Sequence, residues 1–283
     1  MNPPSQHLVF GDDGSAAADV VWLWINNHAW PGWRISVVTA EPPPPGPPVG
    51  MERSSPHPWN PPSPRQLLSA ASVTQLEHLM AEADPRIVLD SFKDASLMAI
   101  GPRGGGTFKS LLIGSTAEWL VSAHRPLAPL VIIRSARPTR HVMLCVDGSA
   151  HAQRATQTLA SLPWVGDAQV TILGVLDGSS DVERGVEDAA TLLETRDGVR
   201  VERLLTGSLS HTATFDVRST ILDAIAEGHP DVVVLGTRGI GAFRRMVLGS
   251  TARAVLHHAP CSVLLARAPE HDVESERRPE PTR

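Results

Sequence analysis

Cysteine is scarce in this 283-residue sequence, which contains only Cys145 and Cys261, and tyrosine is absent altogether. Two cysteines exclude a disulfide framework, and they do not form a C-x-x-C motif. No apolar run approaches the ~20 residues that a membrane-spanning helix needs, so we expect no membrane association. The N-terminal stretch has neither a basic start nor a long apolar core, which predicts a cytoplasmic protein without a secretory signal.

Positive charge is also in short supply. The net charge is -5, and lysine occurs only as Lys93 and Lys109. This balance excludes a broad basic surface for DNA or RNA, so no nucleic-acid partner is expected. The twelve histidines include no H-E-x-x-H motif, so no dedicated metal site is predicted. With 42% hydrophobic and 19% charged residues, the chain is expected to fold, and its length suggests about two domains.

An internal repeat divides the chain. The stretch beginning GPRGGG at Gly101 recurs as GTRGIG at Gly236, and Gly114-Ser115 recurs as Gly249-Ser250 at the same offset of 135 residues. Upstream, DDGSA and VDGSA recur at an offset of 134 residues. Because these three landmarks share nearly one offset, the sequence predicts a tandem duplication. We place the first domain at residues 1–137, the second at 138–268 and a disordered tail at 269–283.

Each repeat alternates apolar strands with helical segments. In the second repeat, DVVVLG at 231–236 is typical of a strand that is buried on both faces of a parallel sheet. A predicted helix over 250–258 follows, and then a last strand over 261–266. This alternation predicts an α/β fold with helices covering a parallel sheet. The last strands of the two repeats, 130–134 and 261–266, would be sheet edges, which predicts that they pair antiparallel within one chain.

A proline-rich insertion lies at about 41–65 and contains eleven of the 25 prolines. One interpretation is a polyproline segment that docks a partner. The other is a solvated, variable loop whose prolines only set its stiffness, and we favour this second interpretation.

The glycine motif after the fourth strand of each repeat has two interpretations. Gly236 directly follows an apolar strand, and Ser250 opens a helix. Such a loop lets a ligand approach the backbone and offers N–H groups and a helix dipole to phosphate. Alternatively, the glycines are turn residues and Ser250 is a helix N-cap with no ligand.

The acid after the first strand, Asp13 or Asp147, is equally ambiguous. It can accept hydrogen bonds from a ribose or an adenine amine, or help to hold a metal, or it can simply cap the next helix from an Asp-Gly turn. First and fourth strands are neighbours in such sheets, so Asp147 and Gly236 are expected to face one crevice.

Together these motifs resemble the universal stress protein family, in its tandem two-domain, actinobacterial-type form. The resemblance covers about residues 7–134 and 140–267 and includes the glycine pattern of the ATP-binding subgroup. It implies two tandem Rossmann-like (adenine nucleotide alpha hydrolase-like) domains, each a five-stranded parallel sheet flanked by helices. It further implies ATP across the strand ends, with Mg²⁺ or Mn²⁺ as an accompanying ion, and pairing of domains through their last strands.

The resemblance also implies the binding residues. In the second repeat they are Asp147, Val175, Gly236, Gly239, Gly249, Ser250 and Thr251. In the first repeat they are Asp13, Ala40, Gly101, Gly104, Gly114, Ser115 and Thr116. Two arginines of the loops, Arg103 and Arg238, are further candidates because they can neutralise phosphate charge, and the alternative is that they are solvated.

The first repeat departs from the family pattern at three positions. Ala40 stands where valine is usual, and Ala83 stands where glycine is common. Pro102 lies within the glycine loop and removes a backbone N–H that we expect could otherwise meet a phosphate.

Several catalytic signatures are missing from the sequence. No Walker lysine precedes Gly249-Ser250 or Gly114-Ser115, and there is neither an SGGxDS-like loop nor a G-x-S-x-G elbow. We therefore expect an ATP-binding stress-response or regulatory protein, in which nucleotide biases conformation or the binding of an unidentified protein partner. Two alternatives stay open: an interaction module of the same fold without nucleotide, and a slow ATPase. A further homodimer is implied by the resemblance alone.

Overall fold

The computed structural model describes residues 6–41, 62–68, 72–102, 113–122, 128–176, 180–207, 216–239 and 248–269. Its first unit consists of β1 (Gln6–Gly11), α1 (Ala16–Asn26), β2 (Trp33–Ala40), β3 (Gln75–Ala81), α2 (Pro85–Asp90), β4 (Leu97–Ile100), α3 (Ser115–Ser122) and β5 (Leu130–Ile132). Its second unit consists of β6 (His141–Val146), α4 (Ala150–Ser161), a 3-10 helix (Pro163–Asp167), β7 (Gln169–Leu176), α5 (Ser180–Glu194), β8 (Arg200–Gly207), α6 (Val217–Gly228), β9 (Val232–Gly236), α7 (Ser250–His258) and β10 (Ser262–Ala266).

Ten strands form one sheet in the order β3-β2-β1-β4-β5-β10-β9-β6-β7-β8. Within each unit the five strands are parallel, and the first strand lies between the second and the fourth, as β1 does between β2 and β4. Two hydrophobic clusters cover the two faces of the sheet, and each contains residues of both units. The predicted α/β fold with a parallel sheet and flanking helices is confirmed.

The seam between the two units is an antiparallel pair of strands. Ile132 of β5 lies opposite Val263 of β10, and Leu130 lies opposite Leu265. Backbone hydrogen bonding therefore continues across the two units, and the last strands are no longer edges. The predicted antiparallel pairing of these strands is confirmed, and the edges of the sheet are β3 and β8.

Two arginines bridge this seam reciprocally. Arg134, just after β5, donates from Nη2 to the Leu256 carbonyl at 2.7 Å, at the end of α7. Arg267, just after β10, donates from Nη2 to the Val121 carbonyl at 3.1 Å, at the end of α3. Each arginine thus places its charge on the carboxyl end of the other unit's last helix, where the helix dipole favours a cation.

An aromatic cluster links α1 to the second unit. The Trp24 and Trp164 rings meet edge to face with centroids 5.9 Å apart, and Trp24 Nε1 donates to Thr139 Oγ1 at 3.2 Å. His28 donates from Nδ1 to the Trp24 carbonyl at 2.7 Å, and its Nε2 accepts the Thr139 N–H at 2.9 Å. Both ring nitrogens are satisfied only when the imidazole is neutral, and burial lowers the pKa of His28 to about 4.

The end of the proline-rich insertion is packed against the first unit. Asp12, which is buried, accepts hydrogen bonds from Arg65 Nε at 2.7 Å and Nη2 at 2.8 Å. Trp22 Nε1 donates to the Gln66 carbonyl at 3.2 Å, and Asn26 Oδ1 accepts the Leu68 N–H at 2.7 Å.

The solvated loop that we expected over 41–65 is contradicted at Arg65, which the buried carboxylate of Asp12 holds in place, whereas Ser63 and Pro64 are exposed. Residues 42–61 lie outside the described residues.

The two units differ in what lies over their first strands, because β6 and β7 of the second unit are covered by α5. A Cβ on Gly148 would meet the Asp181 backbone of α5, whereas the nearest atoms to one on Gly14 belong to Pro62.

We predict that each reciprocal arginine stabilises the whole chain. Arg134→Met and Arg267→Met should each lower the free energy of unfolding by about 1–3 kcal/mol, because carbonyls at a helix end lose charged donors. Urea denaturation measures this effect. Arg137→Met, at an exposed position of the linker between the units, is the control, and equal effects in all three variants would contradict the role of the seam.

We also predict acid sensitivity from His28. Its pKa lies below the unfolded value of 6.5, so the unfolded chain binds the proton more readily. Stability should be complete above pH 6.5 and should fall by up to about 1.4 kcal/mol per pH unit toward pH 4. Urea midpoints at several pH values measure the slope, which should be shallower in His28→Gln. An unchanged slope in that variant would exclude His28 as a source.

Candidate functional site

A cavity of about 220 Å³ lies at the carboxyl ends of β1, β2 and β4, beside the first turn of α3. This is the location expected for a ligand in an open α/β sheet. Six of the eight residues predicted for the first unit line this one cavity: Asp13, Ala40, Gly101, Gly114, Ser115 and Thr116. The other two, Arg103 and Gly104, lie outside the described residues.

The apolar wall of this cavity was not predicted. Val38 of β2, Leu89 of α2 and Ile100 of β4 all line it and are buried. Leu89 and Pro85 come from the short helix α2, so this helix contributes to the wall together with the strand ends. The position of Ile100 just before Gly101 was available in the sequence as a signal, whereas the approach of α2 depends on tertiary packing.

The acids after the first strands hold turns in both units. Asp13 Oδ1 accepts the Ser15 N–H at 3.1 Å, and Asp147 Oδ1 accepts the Ser149 N–H at 3.1 Å and its hydroxyl at 2.6 Å. The serines in turn cap α1 and α4. A turn role is thus present in both units, while the Asp13 side chain also lies at the cavity.

The glycine loops close in the same way in both units. The Gly114 N–H donates to the Pro102 carbonyl at 2.6 Å, and the Gly249 N–H donates to the Thr237 carbonyl at 2.7 Å. The Gly249 carbonyl then accepts the Arg253 N–H at 2.9 Å, which makes Gly249 the N-cap of α7. The interpretation of Ser250 as N-cap is therefore wrong: Ser250 is the first helical residue, and it is exposed.

Pro102 has a different effect from the one expected. At the matching position of the second unit, the Thr237 N–H donates to the Ala266 carbonyl of β10 at 2.8 Å. That N–H belongs to the continuation of the sheet and is not free for a phosphate. The proline therefore removes a strand-to-strand hydrogen bond from the first unit, and the prediction that it removes a phosphate donor is wrong.

The glycines at the ends of the fourth strands let a helix approach. A Cβ on Gly236 would lie 2.7 Å from the His151 carbonyl carbon in α4, and a Cβ on Gly101 would lie 3.0 Å from the Ala17 Cβ in α1. Distances under 3.0 Å to backbone force a shift of the helix. Helix packing is thus sufficient to require glycine at 236, independent of any ligand.

In the second unit, the loop and the acid contact each other. A Cβ on Gly239 would lie 2.4 Å from Asp147 Oδ2, so the carboxylate rests directly against the second glycine of the motif. Val175 is buried near the end of β7, and Thr251 lies in the first turn of α7. Arg238 has a buried Nε and lies close enough to His151 to affect its titration.

The described residues contain neither a cluster of metal ligands nor a membrane-spanning helix. No group of three or more histidine, cysteine, aspartate or glutamate side chains in the described part of the chain could hold a metal ion. Among the same residues, no helix is both long and apolar enough to cross a membrane.

Residues 138–267 match the model of the universal stress protein family. A universal stress protein of Staphylococcus haemolyticus is 28% identical over 145 residues, which are 46% of this chain and 86% of that protein. A second, from Staphylococcus epidermidis, is 29% identical over 146 residues with the same coverage. The second unit is therefore similar in sequence to the universal stress protein family.

The fold of the whole chain is similar to that of solved structures. A universal stress protein from Archaeoglobus fulgidus aligns with a TM-score of 0.63 at 18% identity, over 94% of this chain and 100% of that one. A protein of unknown function from Pseudomonas aeruginosa aligns with a TM-score of 0.54 at 13% identity, over 96% of this chain and 95% of that one. Both alignments cover the two units, so the universal stress protein fold is present in both halves of the chain.

We predict a steric penalty at Gly236. Gly236→Ala should lower the free energy of unfolding by roughly 2 kcal/mol or more, because the new methyl group overlaps the α4 backbone. Gly249→Ser is the matched control, since its Cβ meets only ordinary contacts of 3.4 Å or longer and serine is a good N-cap. Chemical denaturation of both variants measures the difference, and equal stabilities would refute the packing explanation.

Proposed function

We propose that this chain is a universal stress protein that binds ATP at its glycine loops and acts as a regulatory protein of the cytoplasm. Nucleotide occupancy would bias its conformation or its binding to a protein partner, with little or no catalysis. Residues 1–137 and 138–268 would be the two domains, each with one site. Mg²⁺ or Mn²⁺ would accompany the phosphates.

The cavity in the first unit carries this proposal. It brings six residues from four separate stretches of the chain to one place, at the strand ends where open α/β sheets bind ligands. Apolar side chains from β2, α2 and β4 form one wall, and glycine backbone with hydroxyl groups forms another. That combination suits a flat apolar base joined to a polar, charged chain.

The size of the cavity suggests how ATP would lie. At about 220 Å³ it is smaller than the roughly 300–1,000 Å³ of typical small-molecule pockets. We therefore place the adenine and ribose inside it, between Val38, Leu89 and Asp13. The phosphates would extend along the loop that Pro102 and Gly114 close, toward the N–H groups of the first turn of α3.

In the second unit the matching residues would bind a second nucleotide. Asp147, Gly239 and Gly249 repeat the arrangement of acid and loop, and the exposed Ser250 hydroxyl is free to donate to a phosphate. Val175 would pack on the adenine as Ala40 would in the first unit. Thr251 would complete the ribose and phosphate contacts.

One observation favours a competing function. Because helix packing explains the glycine at 236, the fold would keep that residue even in an interaction module that has lost its ligand. The cavity distinguishes the two functions, since packing alone does not require an open space beside Asp13, Ser115 and Thr116.

We predict that filling the cavity abolishes binding at the first site. Ala40→Phe should reduce the number of ATP molecules bound per chain by one in isothermal titration with Mg²⁺, because the ring occupies the space of the base. Ala81→Phe is the matched control, since Ala81 pairs with Ala40 in the sheet but does not line the cavity. Equal stoichiometry in both variants would exclude this cavity as the nucleotide site.

The alternative of a slow ATPase is tested by measuring the release of phosphate from ATP. Release of phosphate from ATP by wild type should stay at background. Turnover above background that disappears in Asp147→Ala would instead make the protein an enzyme.

A further inference from the structure

The described end of the proline-rich insertion lies next to the cavity of the first unit. We call residues 62–68 the strap, and side chains of α1 and β3 help to hold it. Arg65 donates from Nη1 to Asp19 Oδ1 of α1 at 2.6 Å, and its carbonyl accepts a hydrogen bond from His78 Nε2 of β3 at 3.0 Å. Among the described residues, no backbone-to-backbone hydrogen bond joins the strap to the sheet. A change in these side chains can therefore release the strap while the sheet stays intact.

Asp12 connects the strap to the cavity. Its side chain is 1% exposed, and it accepts Arg65 Nε on Oδ2 at 2.7 Å and Arg65 Nη2 on Oδ1 at 2.8 Å. The same Oδ1 also accepts the Gly14 N–H at 3.0 Å, which holds the turn after β1. Asp12 and Asp13 both line the cavity. The Arg65 guanidinium and the turn that carries Asp13 thus share one carboxylate oxygen.

Arg65 itself lies on the opposite face of the sheet from the apolar wall of the cavity. Its Cζ is 6.0 Å from the centroid of the Phe10 ring, which belongs to the hydrophobic cluster on the α1 face. Val38 and Ile100 of the cavity wall belong to the cluster on the other face. Arg65 does not line the cavity, so any effect on a ligand there has to pass through Asp12 and its turn.

The charge of Asp12 makes the first unit depend on the strap. A carboxylate that is removed from water is costly unless a cation pairs with it, and Arg65 supplies that cation. The hydrogen bonds with Asp12 in turn raise the pKa of Arg65 above its usual value. The second unit has the buried Val146 at the position of Asp12, so its turn contains no buried charge that needs a partner. Dependence on an arginine from outside the turn is therefore a property of the first unit.

We propose that the strap regulates the first nucleotide site, and that Arg65 is a positioning residue that holds Asp13 at the cavity through Asp12. The inference rests on the proposed function, which places ribose and adenine beside Asp13. While the strap is attached, its hydrogen bonds lock the turn that presents Asp13. When the strap is released, the Asp12 carboxylate loses its cation, the turn opens toward water, and the affinity for nucleotide falls. The second site, without such a pair, does not respond.

Thermodynamic linkage makes this regulation reciprocal. If attachment of the strap raises the affinity of the first site for ATP by some factor, ATP must favour attachment of the strap by the same factor. Two independent experiments, one on affinity and one on release of the strap, should therefore give matching values.

The first experiment is isothermal titration of the full chain with ATP and Mg²⁺. Arg65→Met should weaken the first site about tenfold, within the usual range of coupling between sites, and leave the second site unchanged. Ala40→Phe, which fills the first cavity, identifies the binding step that belongs to the first site. Arg34→Met is the matched control, because it breaks the pair of Arg34 with Asp94, 2.7 Å apart, at the amino ends of the strands. Equal losses in Arg34→Met and Arg65→Met would overturn the proposal.

A double-mutant cycle tests whether Arg65 acts through Asp13. Asp13 is exposed, so Asp13→Ala should fold. In that background Arg65→Met should cause no further loss of affinity at the first site, because the group that it positions is gone. Losses that simply add would show that Arg65 does not act through Asp13, and they would overturn its role as a positioning residue.

The second experiment uses unmodified protein, so it does not depend on the folding of any variant. Trypsin can cut between Arg65 and Gln66 only when Arg65 has left Asp12, so the rate of this cut reports how often the strap is released. Saturating ATP with Mg²⁺ should slow it about tenfold, matching the loss of affinity in Arg65→Met. The bond after Arg196, in an exposed turn of the second unit, is the control and should be cut at an unchanged rate. A cut after Arg65 that ATP does not slow would overturn the proposal.

Failure of this proposal and failure of the proposed function give different results. If wild type and Ala40→Phe bind the same number of ATP molecules, the first cavity is not a nucleotide site and both proposals are wrong there. If wild type binds one ATP more than Ala40→Phe, and Arg65→Met binds it as tightly as wild type does, only the regulation by the strap is wrong.

Discussion

The antiparallel pairing of β5 with β10 is the constraint on which the rest of the molecule depends. It joins two parallel five-stranded sheets into one ten-stranded sheet and relates the units by an approximate twofold axis. That relation explains why Arg134 reaches α7 while Arg267 reaches α3, with matching bonds in opposite directions. The same seam brings Thr237 and Arg267 of one unit against Val121 and Leu130 of the other.

The sequence predicts the fold well where local patterns determine it. The apolar run at 231–236 becomes β9, and the helix expected at 250–258 is α7 with the same bounds. Spacing in the repeat also predicts that Asp13, Gly101 and Gly114 lie together, because first and fourth strands are neighbours in this architecture. These residues line one cavity.

Long-range contacts account for what could not be predicted. Nothing local indicates that Arg65 forms an ion pair with the buried Asp12, 53 residues away, or that it fixes the end of a proline-rich segment in place of a helix. The sequence predicted that the glycine at 236 leaves room for a ligand, but a Cβ there would meet the backbone of α4. Likewise, the N–H that Pro102 lacks is present at Thr237 in the second unit, where it donates to the Ala266 carbonyl of the last strand.

The two units share one strand arrangement and differ in what surrounds it. Both keep the acid-and-glycine arrangement and the hydrogen bond that closes the loop. They differ in the cover of β1 and β6, where the Arg65 segment replaces α5, and at the seam, where only the second unit has His151 and Thr237. The two nucleotide sites that we propose would therefore have related chemistry but different surroundings, which would let them respond to two ranges of nucleotide concentration.

The proposed binding of adenine nucleotide is best tested on the purified protein itself, through the nucleotide that it carries. Freshly purified protein is denatured, and the released small molecules are assayed by ion-exchange chromatography. The account predicts ATP in a stoichiometric amount, approaching two per chain if both units are filled. Protein that releases none, and that still binds none when ATP and Mg²⁺ are added at millimolar concentration, would contradict it.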